Sequence, residues 1–178
     1  FGILDPISLS YFGIAFMLST AVGLFISPII VYLTPEIYET VEKNLEGRNK
    51  KFLRLLIIQF VVLLIPLIIV NVYLDKLLTI WLGNNINSTE ISYFLIPLSI
   101  SRLSISLFNL LKILFIAENK ITLMKKPLIL IFFIFIFLTI LIYLQILNVE
   151  IYLYCWSISI FLLTLYFYFI FFTKKYKY

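Results

Sequence analysis

Five long apolar runs dominate this chain, over residues 9–34, 55–74, 91–117, 127–147 and 151–173. A helix needs about 20 mostly apolar residues to cross a hydrocarbon core of about 30 Å at 1.5 Å per residue. Inside lipid every backbone polar group must be satisfied by the chain itself, which leaves helices or closed barrels. Barrel strands alternate polar and apolar residues over about 10 positions, and residues 129–143 show no alternation. The runs therefore predict an all-α fold, a polytopic membrane helical bundle with five transmembrane helices. Composition supports this: 63% of the 178 residues are apolar and 13% are charged, against about a quarter charged in soluble domains. The chain starts at Phe1 rather than Met, which raises the expectation that it is a piece of a longer protein.

The basic residues are not spread evenly between the runs. Segment 36–54 holds Lys43, Arg48, Lys50, Lys51 and Arg54, whereas segment 75–90 holds only Lys76. Lys120, Lys125 and Lys126 follow the third run, the turn 148–150 has none, and the tail has Lys174, Lys175 and Lys177. Lys and Arg favour the cytoplasmic side of a membrane. The alternation predicts one topology, with the N-terminus outside and the C-terminus cytoplasmic. The net charge of +5 then belongs to inner loops facing anionic membrane lipids, and no soluble domain is left to carry a nucleic-acid surface.

The connecting segments carry few chemical signals. Pro35 is expected to break or kink the first run. Residues 36–45 read as a short amphipathic helix, with Ile37, Val41 and Leu45 on one face and Glu39 paired with Lys43. Gly47 would end it. Its simplest role is to lie at the membrane interface; the alternative is a gate or a partner surface. Trp81, before the polar Asn84 and Asn85, is an interfacial anchor candidate. The Asn87-Ser88-Thr89 glycosylation pattern is too frequent by chance to carry weight.

No Asp or Glu lies deep in a run, which argues against an acidic proton or sodium relay in this stretch. There is no His, one cysteine (Cys155), no phosphate loop and no nucleophile–base pair. The chain is accordingly read as not an enzyme, with no cofactor and no metal site. Pro28, Pro66 and Pro97 fall inside runs and can kink their helices. The fourth and fifth runs are almost uniformly apolar, as expected at the lipid-facing rim of a bundle.

The third run is the informative one. Arg102 lies near its middle, where a charge costs roughly 2.5–3.5 kcal/mol on insertion scales. At about 100° per residue, Ser99, Arg102, Ser106 and Asn109 share a stripe. Such a stripe suits the wall of a polar substrate cavity. It also suits helix packing, in which serines let backbones approach and polar groups bond across helices. Lys112 can join the cavity or snorkel to the cytoplasmic end.

Several stretches resemble a known family. Tyr11-Phe-Gly-Ile-Ala-Phe-Met-Leu, Ser27-Pro-Ile-Ile-Val-Tyr-Leu-Thr-Pro35, Glu46-Gly-Arg-Asn-Lys-Lys51 and Phe115-Ile-Ala-Glu-Asn-Lys120 look like the second half of polysaccharide flippases. These are the Wzx-like O-antigen and capsule members of the multidrug/oligosaccharidyl-lipid/polysaccharide exporter superfamily. The resemblance implies spans eight to twelve of a twelve-span transporter in the cell inner (cytoplasmic) membrane, with the N-terminal half of the same transporter as partner. It implies export of a lipid-linked oligosaccharide, carried on undecaprenyl diphosphate, for cell-surface polysaccharide and lipopolysaccharide biosynthesis. A central cationic cavity with alternating access would serve that task. The family has no tight motif at Ser99, Arg102, Ser106, Asn109 or Lys112, so those candidates rest on helical geometry. Two other functions stay open. A multidrug or small-molecule exporter of the same superfamily would want acidic cavity residues. A membrane-embedded polysaccharide polymerase would want long outer loops with catalytic Arg, Asp or His. A static membrane scaffold is a further alternative, in which Arg102 is paired and the stripe is dry.

Overall fold

The structure is a computed structural model, and it describes residues 5–24, 27–42, 48–83, 87–119 and 121–173. Lys43, Leu45, Gly47, Asn84, Asn85, Lys120 and the tail lysines lie outside the described residues, as do Phe1–Leu4 of the expected outer segment. All regular structure among the described residues is helical. The helices are α1 (Pro6–Leu24), α2 (Ser27–Glu42), α3 (Arg48–Val72), α4 (Leu74–Leu82), α5 (Ser88–Ala117), α6 (Lys125–Tyr143) and α7 (Val149–Thr173), with a 3-10 turn at Ile121–Met124. Among the described residues, four helical stretches are long and apolar enough to cross a membrane: Pro6–Leu24, Phe52–Val72, Ser88–Ala117 and Val149–Ile170. Leu128–Tyr143 is a shorter apolar stretch.

Local signals explain where these helices start and stop. Asp5 caps α1 by accepting the Ser8 backbone N–H at 2.6 Å, and Pro6 stands at the first helical position, where a missing N–H costs nothing. Asn87 caps α5 by accepting the Thr89 N–H at 3.1 Å. Gly83, at φ 90°, ends α4 in a conformation only glycine adopts without strain. Asn119 and Gln145 both sit at φ 56°, the left-handed stop that follows α5 and α6.

The first run differs most from the sequence reading. Residues 9–34 are not one rod; they divide between α1 and α2, and Pro35 lies within α2. Pro28 falls in the first turn of α2, the one place where a helix tolerates proline freely. Residues 36–42 continue α2 rather than opening a separate helix, and Leu33 and Ile37, one turn apart, are both buried in the bundle.

The long helix α5 is the hub, packed most extensively against α7 and α1 and also touching α2, α3 and α4. Phe12 meets Phe94 and Thr20 meets Arg102, so α1 and α5 run parallel. Asn71 meets Ser99 and Gln59 meets Ser106, so α3 runs antiparallel to both. Ser157, Thr164 and Tyr168 reach Pro97, Ser104 and Leu107 in that order, so α7 is parallel to α5. Packed on α7 and joined to it by residues 144–148, α6 completes an antiparallel pair.

Two apolar clusters occupy opposite ends of this bundle. At one end Ala15, Leu74, Leu78, Ile91, Phe94, Leu95 and Leu153 pack together. At the other, Leu33, Ile37, Phe52, Leu55, Leu110, Leu114, Phe115, Met124 and Phe167 do so. Many apolar side chains are instead exposed on the outside, among them Ile57, Val61, Ile65 and Ile68 of α3 and Phe132, Phe133 and Phe137 of α6. Contiguous apolar surface of that extent calls for a partner or a lipid phase.

Candidate functional site

Between the two apolar clusters lies a belt of polar side chains. On α5 it runs from Ser99 to Ser106, about 10 Å of helix at 1.5 Å per residue. Ser99, Ser101, Ser104 and Ser106 are all buried there, as are Ser19 of α1, Gln59 of α3, and Ser157 and Thr164 of α7. A buried hydroxyl or amide away from water must find a hydrogen bond; Ser19 and Ser104 donate to carbonyls of their own helices, Phe16 and Ile100, and the others reach across to a neighbouring helix.

The bonds fall into three sectors around α5. Toward α7, the Ser101 and Ser157 hydroxyls lie 2.8 Å apart, and Ser157 Oγ is 2.7 Å from the Pro97 carbonyl and 2.5 Å from the Leu153 carbonyl. Its single proton serves one carbonyl at a time, so Ser101 must be the donor to Ser157 whenever a carbonyl holds that proton. Tyr168 donates to the Leu107 carbonyl at 3.0 Å. Toward α3, Gln59 Nε2 donates to both the carbonyl (3.0 Å) and the hydroxyl (2.8 Å) of Ser106, and Asn71 Nδ2 approaches Ser99 Oγ at 3.3 Å. The presence of the Ser106 carbonyl fixes the Gln59 amide this way round, since its own oxygen there would face another acceptor. Gln59 Oε1 is left buried with no hydrogen-bond partner among the described residues.

Toward α1 stands Arg102. Its Nη2 donates to Thr20 Oγ1 at 2.7 Å, and the guanidinium carbon lies 5.5 Å from the centre of the Phe16 ring. Phe16 and Thr20 are one helical turn apart, so the guanidinium lies along one face of α1. Both partners are neutral, and among the described residues no carboxylate pairs with this charge. A guanidinium offers five N–H donors, and Thr20 takes one of them. Arg102 is half-buried rather than sealed.

The five candidates from the sequence therefore divide. Ser99 and Ser106 are buried and spent on α3, the packing role that small polar residues also serve. Arg102, Asn109 and Lys112 stay accessible on one edge of α5: Arg102 and Asn109 are half-buried, and Lys112 is exposed. Ile105 and Ile116 are exposed on that same edge, giving a stripe at 102, 105, 109, 112 and 116 with helical 3-4-3-4 spacing. The stripe leads from the polar belt toward the end that bears the basic segments. Sequence reasoning missed Thr20, Gln59, Asn71, Ser157 and Thr164 as partners. The signal was available, since Gln59 is a lone amide between Arg54 and Asn71 in an otherwise apolar run.

No protein-family model matches this chain, and neither does any curated protein or any solved structure.

Proposed function

We propose that the chain is part of a membrane exporter that moves a lipid-linked oligosaccharide, held by its undecaprenyl diphosphate head group, across the inner membrane. In this reading five segments cross the bilayer, the fifth being α6, and the basic ends of the helices face the cytoplasm. The observation that carries it is Arg102. A cation at mid-bundle, half-open and held among the described residues by a hydroxyl and a ring, is a charge in want of an anion. A phosphate would supply charge-assisted bonds, roughly twice as strong as neutral ones. The accessible edge from Arg102 through Asn109 to Lys112 gives such a head group a route from the basic end. Ser99 and Ser106 hold α3 against the back of the same helix. The alternating directions of α1, α3, α5, α6 and α7 support a chain that crosses back and forth.

The test is Arg102→Ala in the full-length protein. Surface polysaccharide should fall by about tenfold or more, in line with the 1.5–3 kcal/mol of a hydrogen bond to a charged group. Membrane insertion should be unchanged. Normal surface glycan in a well-inserted variant would leave the static scaffold as the better account, a reading that the buried Ser99–Asn71 and Ser106–Gln59 contacts favour.

A further inference from the structure

The two cations on the accessible edge of α5 are not side by side. Arg102 and Lys112 are ten residues apart, so about 15 Å of helix separates them, half of the ~30 Å hydrocarbon thickness. Side chains on a helix lean toward its N-terminus. Both charged heads are thus displaced the same way, and their spacing is kept. Thr20 and Phe16 of α1 further tether Arg102. Lys112 is exposed and makes no side-chain bond among the described residues. A diphosphate is short compared with that gap, so the spacing favours one head group at each cation over one that bridges both.

We propose that Arg102 and Lys112 are two separate stations for the diphosphate of a prenyl lipid, with the Asn109 amide between them. The proposal rests on the transport reading above and adds the manner of passage. The exposed Lys112 receives the head group near the basic end, still in contact with water. Arg102, half-buried in the polar belt, takes it at mid-bundle, where the lower dielectric strengthens the same charge pair. Ile105 and Ile116 on the same edge give the isoprenoid portion an apolar surface alongside. Splitting the attraction over two places has a physical purpose. Each site must bind well enough to be entered and weakly enough to be left, as in multi-site ion conduction.

The experiment is a calorimetric titration of the full-length protein in neutral detergent micelles with farnesyl diphosphate. The unsubstituted protein should bind two molecules at saturation. Lys112→Gln and Arg102→Gln should each bind one, and the double variant none. Arg102→Lys, which keeps charge but loses the planar fork, should keep two sites with one weakened about tenfold; it also serves if Arg102→Gln does not fold. Complete loss of binding in either single Gln variant, with helicity and melting temperature unchanged, would mean one bridged head group; that outcome overturns the two stations and leaves the transport reading standing. No binding to the folded, unsubstituted protein overturns both. Inorganic pyrophosphate filling the sites as tightly as farnesyl diphosphate overturns their assignment to a lipid.

Discussion

A guanidinium among hydroxyls behaves differently from one in an ion pair. An ion pair is satisfied and inert, whereas Arg102, held by Thr20 and the Phe16 ring, keeps most of its donors for something else. This residue was legible in the sequence because a cation in a long apolar run is costly and conspicuous. Which way each neighbour on its stripe would face was not. Ser99 and Arg102 are three positions apart, about 60° around the helix. That angle is enough to turn one toward α3 and the other toward α1, and only the packing of α5 decides it. A second residue makes a sharper prediction. Hydrogen bonds from the Ser8 side chain and backbone N–H hold the Asp5 carboxyl below its ordinary value of 3.8. Because the folded-state value is the lower one, the capped start of α1 is favoured in full above the unfolded value. It loses that advantage as pH falls through the folded one. An NMR titration of Asp5 should give a midpoint under 3.8, and Asp5→Asn, which still caps, should remove the pH dependence at the start of α1. A midpoint at or above the ordinary value would show that the cap does not form.

Among the elements, long apolar runs located α5 and α7 within a few residues, and the end of α3 though not its start at Arg48, seven residues before the run, because length and apolarity are what a crossing helix requires. They could not show the division between α1 and α2, since residues 9–34 hold no charge to interrupt the run and Pro28 marks the fresh helical start. The end of α6 was misjudged for another reason. The apolar run continues to Leu147, but the helix stops at Tyr143. Gln145 turns left-handed at φ 56°, its N–H reaching the Ile142 carbonyl (2.8 Å) and that of Ile146 reaching Leu141 (3.0 Å). These are the paired bonds of a Schellman stop, a place usually given to glycine. A non-glycine residue there costs roughly 1–2 kcal/mol, partly offset by the entropy glycine loses on folding. Gln145→Gly should therefore be neutral or raise stability by up to about 1 kcal/mol, and Gln145→Val should lower the melting temperature. If Gly proves clearly destabilising by thermal unfolding, the helix ends in some other way.

At the scale of the molecule, basic charge is sorted by end. Lys50, Arg54 and Lys125 belong to the end where α5 finishes, with Lys76 at the other, whereas carboxylates stand at both ends, Asp5, Asp75, Glu90 and Glu150 at one and Glu36, Glu39 and Glu118 at the other. If this sorting reflects the positive-inside rule, the links on either side of α6 face opposite compartments. In a Cys155→Ser background, Asn148→Cys should react with an impermeant maleimide in intact cells. Lys125→Cys should react only after the membrane is opened. Labelling of both from one side would mean that α6 does not cross. That helix is the demanding case, since the apolar stretch Leu128–Tyr143 spans about 24 Å and asks the bilayer to thin around it. The whole assembly also faces a problem of height. Helices coated in Leu, Ile and Phe have little reason to prefer one vertical setting over another one turn away, because lipid tails solvate either equally well. Directional bonds gathered at a single level act as dowels. Cross-helix hydrogen bonds in membranes average about 0.6 kcal/mol each, so the eight among the described residues that tie α3, α7 and α1 to α5 together set a preference of about 5 kcal/mol against slippage. The same serines that bring the backbones close thus also fix how far up its neighbours each rod stands.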